Sequence, residues 1–303
     1  MRIMLKRVFF VSAVVAAVVT LMVYYSIRYV LPYSPIRPSR VVVRHDRAET
    51  LMTGLTCEPF DISVDDTIPL KGVFIHACTL PVRGTVVLLH GIASCKEGMA
   101  AKARLLAENG FNCIVYDSRA HGESGGIDCT FGYYEKKDVS AYLDSAAVRF
   151  PGSAPFGVYG HSMGAAVAVQ ALACDRRLVC GIVESPFAEM RETVHEYAAA
   201  MVGFHVDWIA DAALNNAERI AHFSVDSVEP AASAQRIVQP VMVIHGLNDE
   251  KIPFVDGKTV YDRLRSEHKY WYPIAGGDHN HLRQIAGGEY DAKMIGFFTT
   301  YLR

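Results

Sequence analysis

Apolar positions run without interruption through residues 8–27 (VFFVSAVVAAVVTLMVYYSI), twenty residues free of charge and bracketed by Lys6, Arg7 and Arg28. At about 1.5 Å per residue a helix of that length spans roughly 30 Å, the thickness of a bilayer's hydrocarbon core. The pattern predicts an N-terminal membrane anchor over residues 1–30. A cleaved signal peptide is the rival, but Tyr24, Tyr25, Arg28 and Tyr29 stand where a cleavage site needs small residues. A buried core helix fits less well, because the stretch is apolar on every side and lies apart from the later globular pattern. Basic residues are almost balanced, with Arg2, Lys6 and Arg7 ahead and Arg28, Arg37, Arg40, Arg44 and Arg47 behind. A short basic tail ahead of a first apolar segment favours the cytoplasm, so the remaining chain is expected on the extracytoplasmic side.

Residues 31–40 (LPYSPIRPSR) are rich in proline and arginine and read, with the rest of 31–50, as an extended linker. From about residue 51 the pattern turns globular. Residues 58–66 and 70–80 predict a hairpin around Asp65 and Asp66. Apolar, β-branched runs then follow at 85–90, 111–117, 155–160, 179–185, 240–246 and 270–276. Between and after them, 97–109, 133–150, 165–174, 254–267 and 289–302 carry apolar residues at helical spacing. Strands apolar along their whole length and separated by helices imply a mostly parallel sheet covered on both faces, an α/β fold. Helix-like pieces over about 188–235 delay the next strand and predict a small cap above the carboxyl ends of the strands, where such sheets bind ligands.

Composition narrows the function classes. The 303 residues are 51% hydrophobic and 20% charged with a net charge of -2, so no basic field favours nucleic acid. No G-x-G-x-x-G follows the first parallel strand to suggest a nucleotide cofactor. Seven cysteines include no C-x-x-C, which argues against a zinc knuckle or dithiol motif. In an oxidising compartment Cys57 with Cys78, or Cys174 with Cys180, are the candidate pairs.

The chemistry concentrates at residues 160–164, GHSMG, between an apolar strand and a small-residue helix. A nucleophilic serine must stand above the sheet on a turn so tight that its flanking positions favour glycine, here Gly160 and Gly164. The helix beginning at Met163 aims unpaired N–H groups and a positive dipole end at the same place. Without partners, Ser162 would be a glycine-flanked turn of no chemical use. A base is available in His279, on a glycine-loosened loop after the last strand, with His281 as its rival. Asp249, just past the strand at 240–246, is placed to orient that imidazole. Asp278 adjoins His279 and is expected to serve the loop, Glu184 is an alternative acid, and Glu250 is expected in solvent. The N–H groups of Ile92 and Met163 are the expected oxyanion donors, and His90 is expected to bond locally.

This ordered series resembles the α/β-hydrolase-fold serine hydrolases over about residues 51–303. It includes VVLLHGIAS, YDSRAHGESGG, VYGHSMGAAVAV, ESPF, PVMVIHGLNDEKIP and GGDHN. Within that superfamily it is similar to membrane-anchored α/β-hydrolase-domain proteins and to the serine-aminopeptidase-like and monoacylglycerol-lipase-like branch. The resemblance implies that Asp117, Arg119 and His121 shape a loop beside the site, and that neither metal nor organic cofactor takes part. Ala120 departs from it, since the family usually has glycine there. A membrane-anchored serine hydrolase of small-molecule acyl esters or thioesters, possible lipids among them, is the leading expectation. A peptidase acting on short peptides and a catalytically silent binding protein are the alternatives.

Overall fold

The computed structural model describes residues 2–44, 52–65 and 67–302. The first helix, α1 (Arg2–Tyr29), stands clear of the rest along its apolar length and touches the remaining protein only near its end. Among the described residues ten strands follow: β1 (Cys57–Pro59), β2 (Ile62–Val64), β3 (Ile68–Leu70), β4 (Gly72–Ile75), β5 (Thr85–Leu89), β6 (Asn112–Tyr116), β7 (Phe156–His161), β8 (Leu178–Glu184), β9 (Val241–Gly246) and β10 (Lys269–Ile274). Eight of them form one sheet in the order β1-β4-β6-β5-β7-β8-β9-β10, parallel from β6 to β10 and antiparallel at the β1 and β4 edge.

The parallel strands are apolar throughout because each face packs its own core. In β5, Val87 and Leu89 join a cluster under α4 (Glu135–Arg149), α5 (Met163–Cys174) and α9 (Phe254–Arg263). Val86 and Leu88 point the other way, against α3 (Ala100–Glu108) and α10 (Gly288–Tyr301). Alternation of side chains along a strand divides the run between the two faces. The chain leaves β5 toward β6 and leaves β7 toward β8, so the adjacent β5 and β7 form the switch point at which open α/β sheets gather ligands.

The hairpin expected from residues 58–80 is broken into two short pairs, β1 with β4 and β2 with β3. Asp61 causes the break: its carboxylate accepts the Gly72 N–H at 3.1 Å and the Lys71 ammonium at 2.6 Å, replacing ladder bonds. Asp66 lies outside the described residues. The inserted segment after β8 contains α6 (Met190–Val202), α7 (Asp207–Ala221) and the short α8 (Pro230–Ala234).

One expectation needs correction. Part of the predicted extended linker is a helical turn, α2 (Tyr33–Ile36), whose Ile36 is fully buried against Phe187, Leu214 and Ala166. Apolar burial outweighs the extended preference of the surrounding prolines; residues 45–50 lie outside the described residues. The seven cysteines are all free thiols. Cys180 is buried within β8 while Cys174 is exposed at the end of α5, and Cys57 and Cys78 also remain unpaired.

Candidate active site

Ser162 occupies the joint between β7 and α5 with φ +55° and ψ -119°, a conformation that costs a residue bearing a side chain on the order of 1–3 kcal/mol. The surrounding backbone leaves no alternative. A Cβ on Gly160 would stand 2.2 Å from the carbonyl oxygen of Gly164, and one on Gly164 would stand 2.3 Å from that of Leu89. Two glycines therefore let the elbow press against β5 and hold the serine hydroxyl above the strand ends.

The loop after β10 reaches Ser162 by folding over β9. A Cβ on Gly246 would come within 2.3 Å of the Gly277 carbonyl oxygen, and the Asn248 N–H donates to that same oxygen at 2.9 Å. This crossing brings His279 Nε2 to 2.9 Å from Ser162 Oγ and His279 Nδ1 to 2.7 Å from Asp249 Oδ2. An ionised carboxylate accepts only, so Nδ1 carries the proton and Nε2 is free to accept from the hydroxyl. The other Asp249 oxygen receives the N–H groups of Lys251 (3.0 Å) and Ile252 (2.9 Å). Burial alone would raise the Asp249 carboxyl, but hydrogen bonds from His245 and His279, with the His279 charge, hold it far below the ordinary carboxylate range.

The other sequence candidates fall elsewhere. His281 is exposed and pairs with Asp278 at 2.8 Å, while Asp278 also caps the N–H groups of Asn280 and His281. Glu250 is exposed. Glu184, the last residue of β8, is buried, taking hydrogen bonds from Tyr159 (2.6 Å) and Tyr290, with Lys102 and His161 each 3.8 Å away. Burial would raise its carboxyl, yet Lys102, His161 and the two phenols hold it low. Ile92 and Met163 line the same cavity as Ser162, with Met163 at the first position of α5.

Two histidines escaped sequence reasoning. His161, inside GHSMG, donates from Nε2 to the His279 carbonyl oxygen at 3.0 Å and so fixes the loop that carries the base. His245 donates to the Ile252 carbonyl at 2.9 Å with Asp249 Oδ2 3.4 Å away, steadying the acid's turn. Its place four residues before Asp249 was the available signal.

The loop after β6 is built as the resemblance implied. Asp117 accepts the Lys96 N–H at 2.7 Å, Arg119 pairs with buried Asp138 at 2.5 Å, and His121 bonds the Arg119 carbonyl at 3.0 Å. Ala120 holds φ +64°, the left-handed conformation for which glycine is the easier residue. His90 donates from Nδ1 to Gly91 O at 2.8 Å and accepts the Ser118 N–H at Nε2, at 3.0 Å. Burial, aided by His121, pushes its pKa down, so the folded state prefers the neutral ring. Unfolded chains bind more protons than folded ones below the ordinary histidine value of about 6.5. The stability from neutral His90 is present above that value and lost as pH falls beneath it. The melting temperature is therefore expected to drop between pH 7 and pH 4.5, and less steeply in His90→Gln; an identical slope in the variant contradicts this.

Beside Ser162 opens a cavity of about 490 Å³, walled by apolar side chains of α6 and α7 together with Phe131, Phe187 and Ile252. Among the described residues no charged side chain lines it. A serine on a strained elbow, an imidazole and a buried carboxylate at the switch point of a parallel sheet define the class of serine hydrolases. The family model for serine aminopeptidase, S33, matches residues 81–228. Uncharacterized protein YqkD of Bacillus subtilis is 26% identical over 215 residues, which cover 69% of this chain and 68% of that protein. Lysophosphatidylserine lipase ABHD12 of Danio rerio is 30% identical over 189 residues, 58% of this chain and 46% of the lipase, so the chain spans under half of that relative's length. The solved esterase PF2001 of Pyrococcus furiosus superposes with a TM-score of 0.74 at 23% identity, over 89% of this chain and 100% of the esterase. The chain has the α/β-hydrolase fold and is similar to hydrolases built on it.

Proposed function

We propose that the protein is a membrane-anchored hydrolase of carboxylic esters or thioesters with apolar acyl groups, acting through Ser162, His279 and Asp249. The observation that carries the reading is the connected line from the Ser162 hydroxyl through His279 to Asp249 at the edge of an uncharged cavity. As Ser162 Oγ attacks the acyl carbonyl, its proton passes to His279 Nε2, and Asp249 stabilises the resulting imidazolium. The N–H groups of Met163 and Ile92 hold the oxyanion, with the α5 dipole adding to the first. His279 returns the proton to the leaving alcohol or thiol, and a water, deprotonated by the same imidazole, releases the acid and restores Ser162. Neither a metal nor an organic cofactor enters these steps.

The name of the matching family raises a second reading, a peptidase of short peptides. An aminopeptidase site needs an acidic group for the substrate's ammonium, and the uncharged cavity favours an acyl chain instead. Comparing p-nitrophenyl acyl esters with aminoacyl p-nitroanilides separates the two. Turnover of the esters is expected, and turnover of the anilides alone would overturn the proposal.

For the whole chain we propose an anchor over about residues 1–30, a catalytic domain from about 51 to 303, and a cap at about 188–235. The helix α1 is long and apolar enough to cross a membrane. Exposed Tyr24, Tyr25 and Tyr29 near its end suit the headgroup layer, and the cap exposes Met201, Phe204 and Trp208. The basic tail with Arg2, Lys6 and Arg7 then lies on the cytoplasmic side and the catalytic domain opposite. The lipase activity in the name of the Danio rerio relative supports a lipid among the substrates.

A further inference from the structure

We infer that the turn leaving the membrane helix is a wall of the acyl pocket and sets the length of acyl chain the enzyme accepts. The inference rests on the proposed ester chemistry at Ser162 and assigns a specificity role to a segment outside the catalytic fold. Leu31, Ser34 and Pro35 line the same cavity as Ser162, Met163 and Ile92. They come from a stretch that would merely need to be flexible if its task were to tether the domain.

Instead the stretch is fixed at both ends. Ahead of it, the Asn216 amide in α7 donates to the Ile27 carbonyl at 3.2 Å. Behind it, Ile36 is fully buried and its carbonyl accepts the Cys129 N–H at 2.7 Å. Arg37 pairs with Asp128 at 2.7 Å, and the Arg40 guanidinium donates to the carbonyls of Ser124 and Gly126, each at 2.6 Å. The turn is thus sewn to the cap on one side and to the loop after β6 on the other. A backbone held so firmly cannot move these residues aside for a longer ligand without breaking several of these bonds.

A rigid wall discriminates by volume. Short acyl groups occupy only the space around Ser162 and need no contact with residues 31–35. Long acyl groups fill the cavity and meet Leu31, Ser34 and Pro35. A pocket excludes or admits methylenes at about 1–3 kcal/mol each, or 10–200-fold in kcat/KM. Changes at the wall should therefore alter the acyl-length profile and leave the chemistry of short esters intact.

The test uses the full chain in phosphatidylcholine vesicles, with p-nitrophenyl acetate, octanoate and palmitate as probes. Leu31→Trp and Ser34→Trp are expected to lower kcat/KM for the palmitate by about tenfold or more while acetate stays within about twofold. Leu31→Ala, which enlarges the cavity, is expected to shift the profile toward longer chains, and acetate turnover reports that each variant is folded. An unchanged length profile in all three variants, with acetate activity retained, overturns the inference and leaves the ester reading standing. Parallel loss on all three esters overturns it too, because the turn would then support the fold and select nothing. Wild-type protein that hydrolyses none of the probes defeats the ester reading itself.

Discussion

Replacing Ser162 by alanine is expected to cut ester turnover by roughly 10⁵- to 10⁶-fold, and His279→Ala by a similar factor. The double variant should be no worse than either single one. The reason is the geometry: the hydroxyl is a weak nucleophile until its proton can pass over 2.9 Å to His279 Nε2, and the imidazole has no such task without the hydroxyl. Removing either group removes the same step. Residual catalysis of roughly 10³- to 10⁴-fold over water should survive from binding and the oxyanion donors. Steady-state kinetics on a p-nitrophenyl ester checks this. Strictly additive losses in the double variant would mean that the two residues act independently.

The second large effect is expected from a residue that performs no chemistry. In Gly164→Ala the new methyl would meet the Leu89 carbonyl oxygen at 2.3 Å and that of His90 at 2.7 Å, both backbone atoms with nowhere to go. The elbow must lift from β5 or the strand must shift. Overpacking of this kind costs about 1–3 kcal/mol or more, and a displacement near 1 Å at the reacting atoms costs about 10²-fold in rate. Urea unfolding and kcat should both fall. Full activity in Gly164→Ala would mean that the contact with β5 does not hold the serine in place.

Much of this arrangement was legible in the sequence, for physical reasons. A strand buried on both faces must be apolar at every position, so the runs at 85–90, 155–160 and 240–246 disclosed the parallel sheet. GHSMG announced its turn because no other residues tolerate the approach of Gly160 to Gly164. What stayed hidden depends on partners distant in the chain. Pro32, Pro35 and Pro38 read as extended, and only the burial of Ile36 against Phe187 and Leu214 explains the turn between them. Asp61 looked like an ordinary strand residue until its carboxylate met the Gly72 N–H. His161 gave no signal beside Ser162, because its use is to hold a carbonyl 118 positions further along.

Covalent trapping tests the central claim most directly. A fluorophosphonate reacts with a serine only when a base has made it nucleophilic, so labelled protein, digested and mapped by mass spectrometry, reports whether the Ser162 hydroxyl is activated. The account predicts a single adduct on the peptide containing Ser162, absent in Ser162→Ala and strongly reduced in His279→Ala. Undiminished labelling of Ser162→Ala, or no labelling of the folded wild-type protein, would contradict it.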